Sequence, residues 1–379
     1  MPLYGFRLGQ RIAHGYDILN RETTEAWYAV GGGGAVNLLT FTYDTNNNLL
    51  TAANSAGTVT RTYDALDRPA SGRDVFGTAL TYTYDAADNR TLVQDSFGGI
   101  TTRTYDVLNR TTTMQFGGPS QTPLRLDSAY TVRDEVARLT RYSNLAGTTT
   151  VGYSTMGYDA VGRLTGLQHL NGSGTSLARY VNAFDLAGRI TSEALNGGSP
   201  TTYQYDVTDQ VTNDAVVTYT YDLNGNRTMS GYATGTANRM TSDGVWNYTA
   251  DANGNQTGKT KISNGQLVTY TYDVRNRMTA MQDTLAGALQ SRGTYVYDAL
   301  GQRVQREARL GGVTTITRFA YDDMRQVWAD TNTSNVVQQR YLRTDRMRLA
   351  IGRAGFGQVA ACWVTARPTG VFARPASRG

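Results

Sequence analysis

The dipeptide Tyr-Asp recurs along this chain with a fixed residue class three positions after each Asp, and that phase constrains the fold more than any other feature. The pair occurs at Tyr43-Asp44, Tyr63-Asp64, Tyr84-Asp85, Tyr105-Asp106, Tyr158-Asp159, Tyr205-Asp206, Tyr221-Asp222, Tyr272-Asp273, Tyr297-Asp298 and Tyr321-Asp322, with Phe184-Asp185 and Ala250-Asp251 as variants. Most copies lie about 20 to 25 residues apart, the length of one hairpin with its connections. The third residue after the Asp is Gly162, Gly188, Gly225, Gly254 or Gly301; Asn47, Asn109 or Asn276; Asp67, Asp88 or Asp209; and once Arg325. Eleven of these twelve are types that enter positive φ at low cost. Asp at the first turn position and Gly or Asn at the fourth spell a type I turn closing into a bulge. The Asp carboxylate is placed to accept the backbone N–H two residues on.

The flanks read as strands. Tyr82 and Tyr84, Tyr203 and Tyr205, Tyr219 and Tyr221, Tyr270 and Tyr272, and Tyr295 and Tyr297 alternate, which puts each pair on one face. After the turns come short β-compatible segments such as Arg163-Leu164-Thr165, Arg189-Ile190-Thr191 and Arg277-Met278-Thr279. A single hairpin is marginal in water, so the units are expected to stack into a continuous twisted antiparallel sheet that curls as its twist accumulates. Two degenerate copies are read at residues 133–140, with Ala137 in place of the turn Gly, and at residues 238–241. The fold class is therefore all-β: tandem hairpins in a spiralling sheet.

Composition agrees and excludes other classes. The chain has 25 Tyr against 9 Phe and 4 Trp, a mix suited to half-exposed strands. Its net charge of +5 is concentrated in one place, because residues 346–379 hold six Arg and no Asp or Glu. The body is near neutral, so charge does not argue for nucleic-acid binding. The single cysteine, Cys362, excludes an internal disulfide. No apolar run has the length of a spanning helix, and the first twenty residues lack a signal-peptide core.

The segments YTYDLNGNRT (Tyr219 to Thr228), YDAVGRLTGL (Tyr158 to Leu167) and FDLAGRITSE (Phe184 to Glu193) resemble the YD-repeat family of Rhs proteins, wall-associated proteins, toxin-complex C components and teneurins. The resemblance runs from about Leu39 to Arg343. It implies a spiral sheet wrapping into a hollow shell, which in bacterial members encloses a toxic C-terminal polypeptide, and a secreted or cell-surface location. It also implies a core segment with DPxG-type aspartates supporting self-cleavage. This sequence has no Asp-Pro dipeptide, so the cleavage machinery and the toxin domain are expected to be absent from this chain. Three regions result: residues 1–34, an unassigned segment ending in a Gly31–Gly34 linker; residues 35–345, the repeat array; and residues 346–379, a non-repeat tail that reads as a lost frame or a truncated gene.

Sharper chemical readings are weaker than structural ones. Asp222-Leu-Asn224-Gly-Asn226 and Asp251-Ala-Asn253-Gly-Asn255 open like calcium loops, but Arg227 and Gln256 occupy the place of the invariant Gly. His14 and His169 stand apart from any ligand-spaced or triad pattern. The repeated aspartates Asp44, Asp64, Asp85, Asp106, Asp159, Asp185, Asp206, Asp222, Asp251, Asp273, Asp298 and Asp322 recur where each hairpin needs a turn, whereas a catalytic pair is needed once. Catalytic, cofactor and metal residues are all expected to be absent. The expected role is a structural length of shell wall, partnered by the rest of the shell and an enclosed polypeptide. The alternative is a cell-surface module binding carbohydrate or protein through Tyr-rich strand faces. Open sheet edges are expected to drive aggregation or oligomerisation of the isolated chain.

Overall fold

The computed structural model describes residues 3–7, 10–29, 33–344 and 347–352, with side chains between residues 11 and 342 apart from 30–32. Within them an eighteen-stranded sheet runs from Leu3–Arg7 to Thr201–Thr202, and a twelve-stranded sheet from Tyr232–Thr234 to Met347–Gly352. Gln204–Tyr205 and Val211–Asn213 form a separate pair between them. Each strand pairs antiparallel with its neighbour in sequence, as tight turns at both strand ends require. The helical structure among the described residues is one 3-10 turn, Thr236–Asn238.

All twelve Asp sites close the same way. The Asp N–H donates to the carbonyl four residues on, and the N–H of the third residue donates back to the Asp carbonyl. That third residue has positive φ in every copy, from Asn276 and its φ of 58° to Gly254 and its φ of 88°, with Arg325 at 61°. Strand register slips by one residue just before the Asp, for example between Thr62 and Tyr63 and between Gly157 and Tyr158, as a bulge requires.

Four expectations need correction. First, the copy at residues 133–140 is out of phase. The turn is closed by Thr131 and Asp134, the latter at φ 70°, while Ala137 lies inside the strand Val136–Tyr142. The Thr131 hydroxyl accepts the N–H groups of Arg133 and Glu135, the carboxylate's usual role, so Thr stands in for Asp. Second, the sheet is not continuous. Asp206 and Asp222 are only sixteen residues apart, which leaves strands too short to hold a ladder, and pairing there falls to isolated bridges at Asn213–Thr218 and Tyr221–Arg227. Third, residue 34 marks no break in the sheet. Glu22–Tyr28 pairs with Ala35–Tyr43, and Tyr16-Asp17 opens a turn of the same kind, with Asn20 at φ 59°. Gly33 and Gly34 therefore lie in a hairpin connection, and Gly31 and Gly32 lie outside the described residues. Fourth, pairing continues into the tail, where Met347–Gly352 adds a strand to Val337–Thr344. Residues 353–379, including Cys362, lie outside the described residues.

Alternation gives the sheet two unlike faces. One carries paired hydroxyls, such as Thr42 with Thr51 and Thr62 with Ser71 at 2.6 and 2.7 Å. The other carries the apolar residues, and the chain covers part of it by returning on itself. Trp27, Leu39 and Ala52 pack with Val274 and Ala299; Leu80, Tyr82 and Val93 with Ala320, Trp328 and Ala329; Met114, Phe116, Leu126 and Leu139 with Leu342. Burying such side chains contributes about 1.5–3 kcal/mol each, and here the burial links segments some 230 to 250 residues apart.

Candidate functional site: the turn ridge and the coil contact

The Tyr-Asp turns line one edge of the array and are laced to one another. In every copy the Asp carboxylate accepts the N–H of the fourth residue on, as Asp64 does from Arg68 at 3.0 Å and Asp159 from Arg163 at 2.9 Å. The side chain of that fourth residue, Arg or Asn in most copies, binds the same carboxylate and then reaches the next turn. Arg68 Nη1 donates to Asp88 Oδ1 at 2.7 Å, Arg189 Nη1 to Asp209 Oδ1 at 2.8 Å, and Asn48 Nδ2 to Asp67 Oδ1 at 2.7 Å. The Arg also lies over the next unit's aromatic ring: Arg68 is 4.6 Å from the Tyr84 centroid and Arg277 is 4.5 Å from that of Tyr297.

The Tyr of each unit completes the lacing. Eleven tyrosines, from Tyr43 to Tyr321, donate their hydroxyl to a backbone carbonyl of the preceding unit at 2.6 to 3.0 Å. The acceptor always lies five residues after the preceding turn's first residue. Phe184 has no hydroxyl, and there Asn182 Nδ2 donates to the matching carbonyl, Leu164, at 3.2 Å.

The aspartates are thus hydrogen-bond acceptors in turns and come together only as a row of neighbours. The Arg68 side chain beside Asp64 holds its carboxyl below the usual range, with the backbone N–H groups adding to it and burial opposing. Asn226 does the same for Asp222, whose calcium-like loop is closed by its own amides and the Asn226 side chain. Asp298 differs: it sits in the coil contact, and burial pushes it up.

That contact is clasped by charge. Arg275 pairs with Glu25, whose Oε1 also accepts Trp27 Nε1 at 2.5 Å. Arg90 meets Asp323 at 2.6 Å. Arg340 pairs with fully buried Asp95, which also accepts Trp328 Nε1 at 3.0 Å. Burial pulls Arg340 down to about 10, still charged at neutral pH opposite that carboxylate.

Both histidines have company that the sequence did not show. His14 Nδ1 lies 2.6 Å from Glu22, and with Glu25 the three offer ligand atoms within 4.8 Å of one another. Glu25 is already engaged by Arg275 and Trp27, so the group fits a salt-bridge cluster better than a metal centre. His169 lies 2.8 Å from buried Ser154, but the third group on the Ser154 hydroxyl is Arg141, a cation where a triad needs an acid. Burial, then Arg141, lowers the His169 pKa.

The sequence reading missed three things: the Tyr–carbonyl bond, the turn at Asp17, and the turns on the opposite edge. Asp74 with Gly77, Asp95 with Gly98, Asn171 with Gly174 and Asn332 with Asn335 close with the same pair of bonds. The signal for them was the Asx-x-x-Gly or Asx-x-x-Asn spacing without a preceding Tyr.

Comparison with known proteins fits this geometry. The family model described as RHS Repeat matches residues 63–100 and 251–288. No curated protein matches the chain in sequence. Among solved structures, the chain is similar to TcdB2-TccC3-TEV, with a TM-score of 0.56 and 14% identity over 95% of this chain and 23% of that one. It is also similar to TcdB2-TccC3, with a TM-score of 0.50 and 12% identity over 94% of this chain and 27% of that one. The chain thus spans about a quarter of the length of those it resembles, and at that identity the likeness speaks for the fold. The repeat match, the turns and the lacing show that the chain carries RHS-type repeats, and the solved structures show the fold it shares with them.

Proposed function

We propose that this chain is a length of wall in an Rhs-type shell, and that the wall encloses a polypeptide cargo. The observation that carries the reading is the return of the chain across its own apolar face, from Trp27 and Val274 to Leu139 and Leu342, held by three ion-pair clasps. A free-standing binding module gains nothing from such closure, whereas a wall needs its successive coils sealed. The rest of the shell and the cargo are the expected partners, and the role is non-enzymatic and secreted. The described residues contain no helix long and apolar enough to cross a membrane. The repeated Asp and Gly residues act here as wall joints.

The carbohydrate-binding alternative relies on free Tyr rings. Many of those rings are capped by Arg, and their hydroxyls are spent on backbone carbonyls, which weighs against it. The test is limited proteolysis of a polypeptide cargo held inside a full shell of which this chain is a length of wall. Enclosure should leave that polypeptide uncut by a protease that digests it when it is expressed alone. Equal cutting rates in the two contexts would overturn the proposal. A glycan-binding screen read with Tyr84→Ala reports on the alternative.

A further inference from the structure

The coil contact treats its carboxylates unequally. Three of them meet a cation from the other coil: Glu25 meets Arg275, Asp95 meets Arg340, and Asp323 meets Arg90. Asp298 is 3% exposed, and among the described residues no side chain hydrogen-bonds or ion-pairs with it. In nine of the twelve Tyr-Asp turns the Arg or Asn four residues on gives its side chain to the second carboxylate oxygen. At Asp298 that residue is Gln302, which gives its backbone N–H to Oδ1 at 2.8 Å and leaves Oδ2 without a side-chain partner. Nor is Asp298 free to turn out to water. The Tyr297 carbonyl before it accepts Asn54 Nδ2 at 3.0 Å, and Ala299 after it packs on Trp27, Leu39 and Ala52 of the first sheet.

Asp298 lines a cavity of about 30 Å³ between the coils. From the first sheet Arg61, Arg73, Asp74 and Tyr82 face it, and from the second Tyr321, Asp322, Asp323 and Arg325. Arg73 and Arg325 are exposed, where water screens them. Asp74 accepts the N–H groups of Phe76 and Thr78, both at 2.9 Å, and no cation pairs with it among the described residues. The Asp323 side chain is 8% exposed; its Oδ2 meets Arg90, and its Oδ1 is buried without a partner. Burial pushes both Asp298 and Asp74 up, and at Asp298 it outweighs the opposing pull of the backbone N–H groups, Arg277 and Arg325. An ionised carboxylate held this way has two forms of relief: it takes a proton, or the contact opens and gives it water.

We infer that Asp298 makes the coil contact a proton-dependent latch: a proton on its carboxyl closes the contact, and losing that proton towards neutral pH loosens it. Asp74 acts in the same sense from the opposite coil. A carboxyl raised in the closed contact holds more protons there than when the coils part. Its contribution is complete below the ordinary value of 3.8 and is lost as pH rises through the higher value of the closed contact. The turn ridge runs the other way and loses its contribution below 3.8, so the latch is read above that value. The inference concerns two parts of one chain and does not depend on what the wall encloses.

Hydrogen exchange of the full chain at about pH 7 and about pH 5 tests it, each rate being divided by that of an unstructured peptide at the same pH. In the wild type, protection of Gly57–Tyr63 and Arg303–Leu310, which line the cavity through Val59 and Val304, should rise several-fold at the lower pH. Trp246–Ala250 and Gln256–Lys261, which supply no residue to the apolar clusters of the contact, should not change. Asp298→Asn should show the higher protection already at neutral pH, with little further rise in acid. Asn suits such a turn, since Asn171 and Asn332 accept the N–H groups two and four residues on in turns of the same kind. Asp159→Asn, the same change where Arg163 holds the carboxylate, should instead quicken exchange in its own strands. Two results would overturn the inference: a wild-type contact no better protected at about pH 5 than at about pH 7, or an Asp298→Asn contact less protected than wild type at about pH 7. The second is also the result expected if a metal cation, in place of a proton, sat against the carboxylate. The wild-type comparison needs no substitution, so it decides even where a variant misfolds.

Discussion

Tyr63 donates its phenolic hydroxyl to the carbonyl of Leu49, 3.0 Å away in the preceding unit, and ten other tyrosines repeat that bond. It ties hairpins to one another, so losing it should loosen a junction while leaving both hairpins formed. Tyr63→Phe is expected to lose about 0.5–1.5 kcal/mol. Asn182→Ala should lose a similar amount, because Asn182 serves the Leu164 carbonyl in place of Phe184. Phe184→Tyr should recover part of that second loss. Urea denaturation of the three variants checks this; a Tyr63→Phe protein as stable as wild type would leave the hydroxyl without an energetic role.

Gly162 tests the turns. Its φ is 83° and its N–H closes the turn onto the Asp159 carbonyl at 3.1 Å. Gly162→Val should cost about 1–2 kcal/mol, since a β-branched residue is forced into left-handed geometry. Gly162→Asn should cost clearly less, because Asn occupies the same site at Asn47, Asn109 and Asn276. A Cβ added at Gly162 would stand 3.3 Å from the Glu135 carboxylate. Equal losses for Val and Asn in thermal melts would point to that contact, which both side chains share, in place of backbone strain.

These two sites mark what was legible in the sequence. The turns were, because positive φ restricts residue type locally and the restriction recurs in phase. The Asp134 turn was misread because Thr131 replaced the Asp that sets the phase, and the sheet break near Asp222 was missed because spacing was read as incidental. The Tyr–carbonyl bond was invisible because its acceptor is backbone, which any residue supplies. The coil clasps were invisible for another reason: Asp95 and Arg340 are 245 residues apart, and nothing local marks them as partners.

Acid should unravel the turn ridge. Asp64, Asp85, Asp106 and Asp222 are all held below the ordinary value of 3.8, first by the side chain four residues on and then by backbone N–H groups, against burial. A depressed carboxyl contributes stability that is complete above the unfolded value and is lost as pH falls through the folded one. The loss should therefore begin below 3.8. Asp298, raised by burial, acts in the opposite sense, but it is outnumbered. Melting temperature measured from about pH 6 down to about pH 2 should drop most steeply at the acid end, with a shallower drop for Asp64→Asn. A flat profile below 3.8 would remove the electrostatic account of the ridge.

The coil contact should open as a unit when its buried clasp is cut. Asp95 is fully buried and meets Arg340 and Trp328, so Arg340→Ala leaves a carboxylate with only neutral donors, the Phe97 and Gly99 N–H groups and Trp328 Nε1, and no cation. Removing one partner of such a pair costs about 3–5 kcal/mol, more than a surface bridge contributes. The strands that lose support are those packed through Trp328, Ala329 and Leu342, while Thr150–Tyr158 and Leu164–Asn171 are held by their own neighbours. Hydrogen exchange should therefore quicken across Val327–Thr331 and residues 337–342 and stay unchanged across residues 150–171. Uniform quickening across both regions would mean that the variant had unfolded globally, and no change in either would mean that the Asp95–Arg340 pair does not hold the coils together.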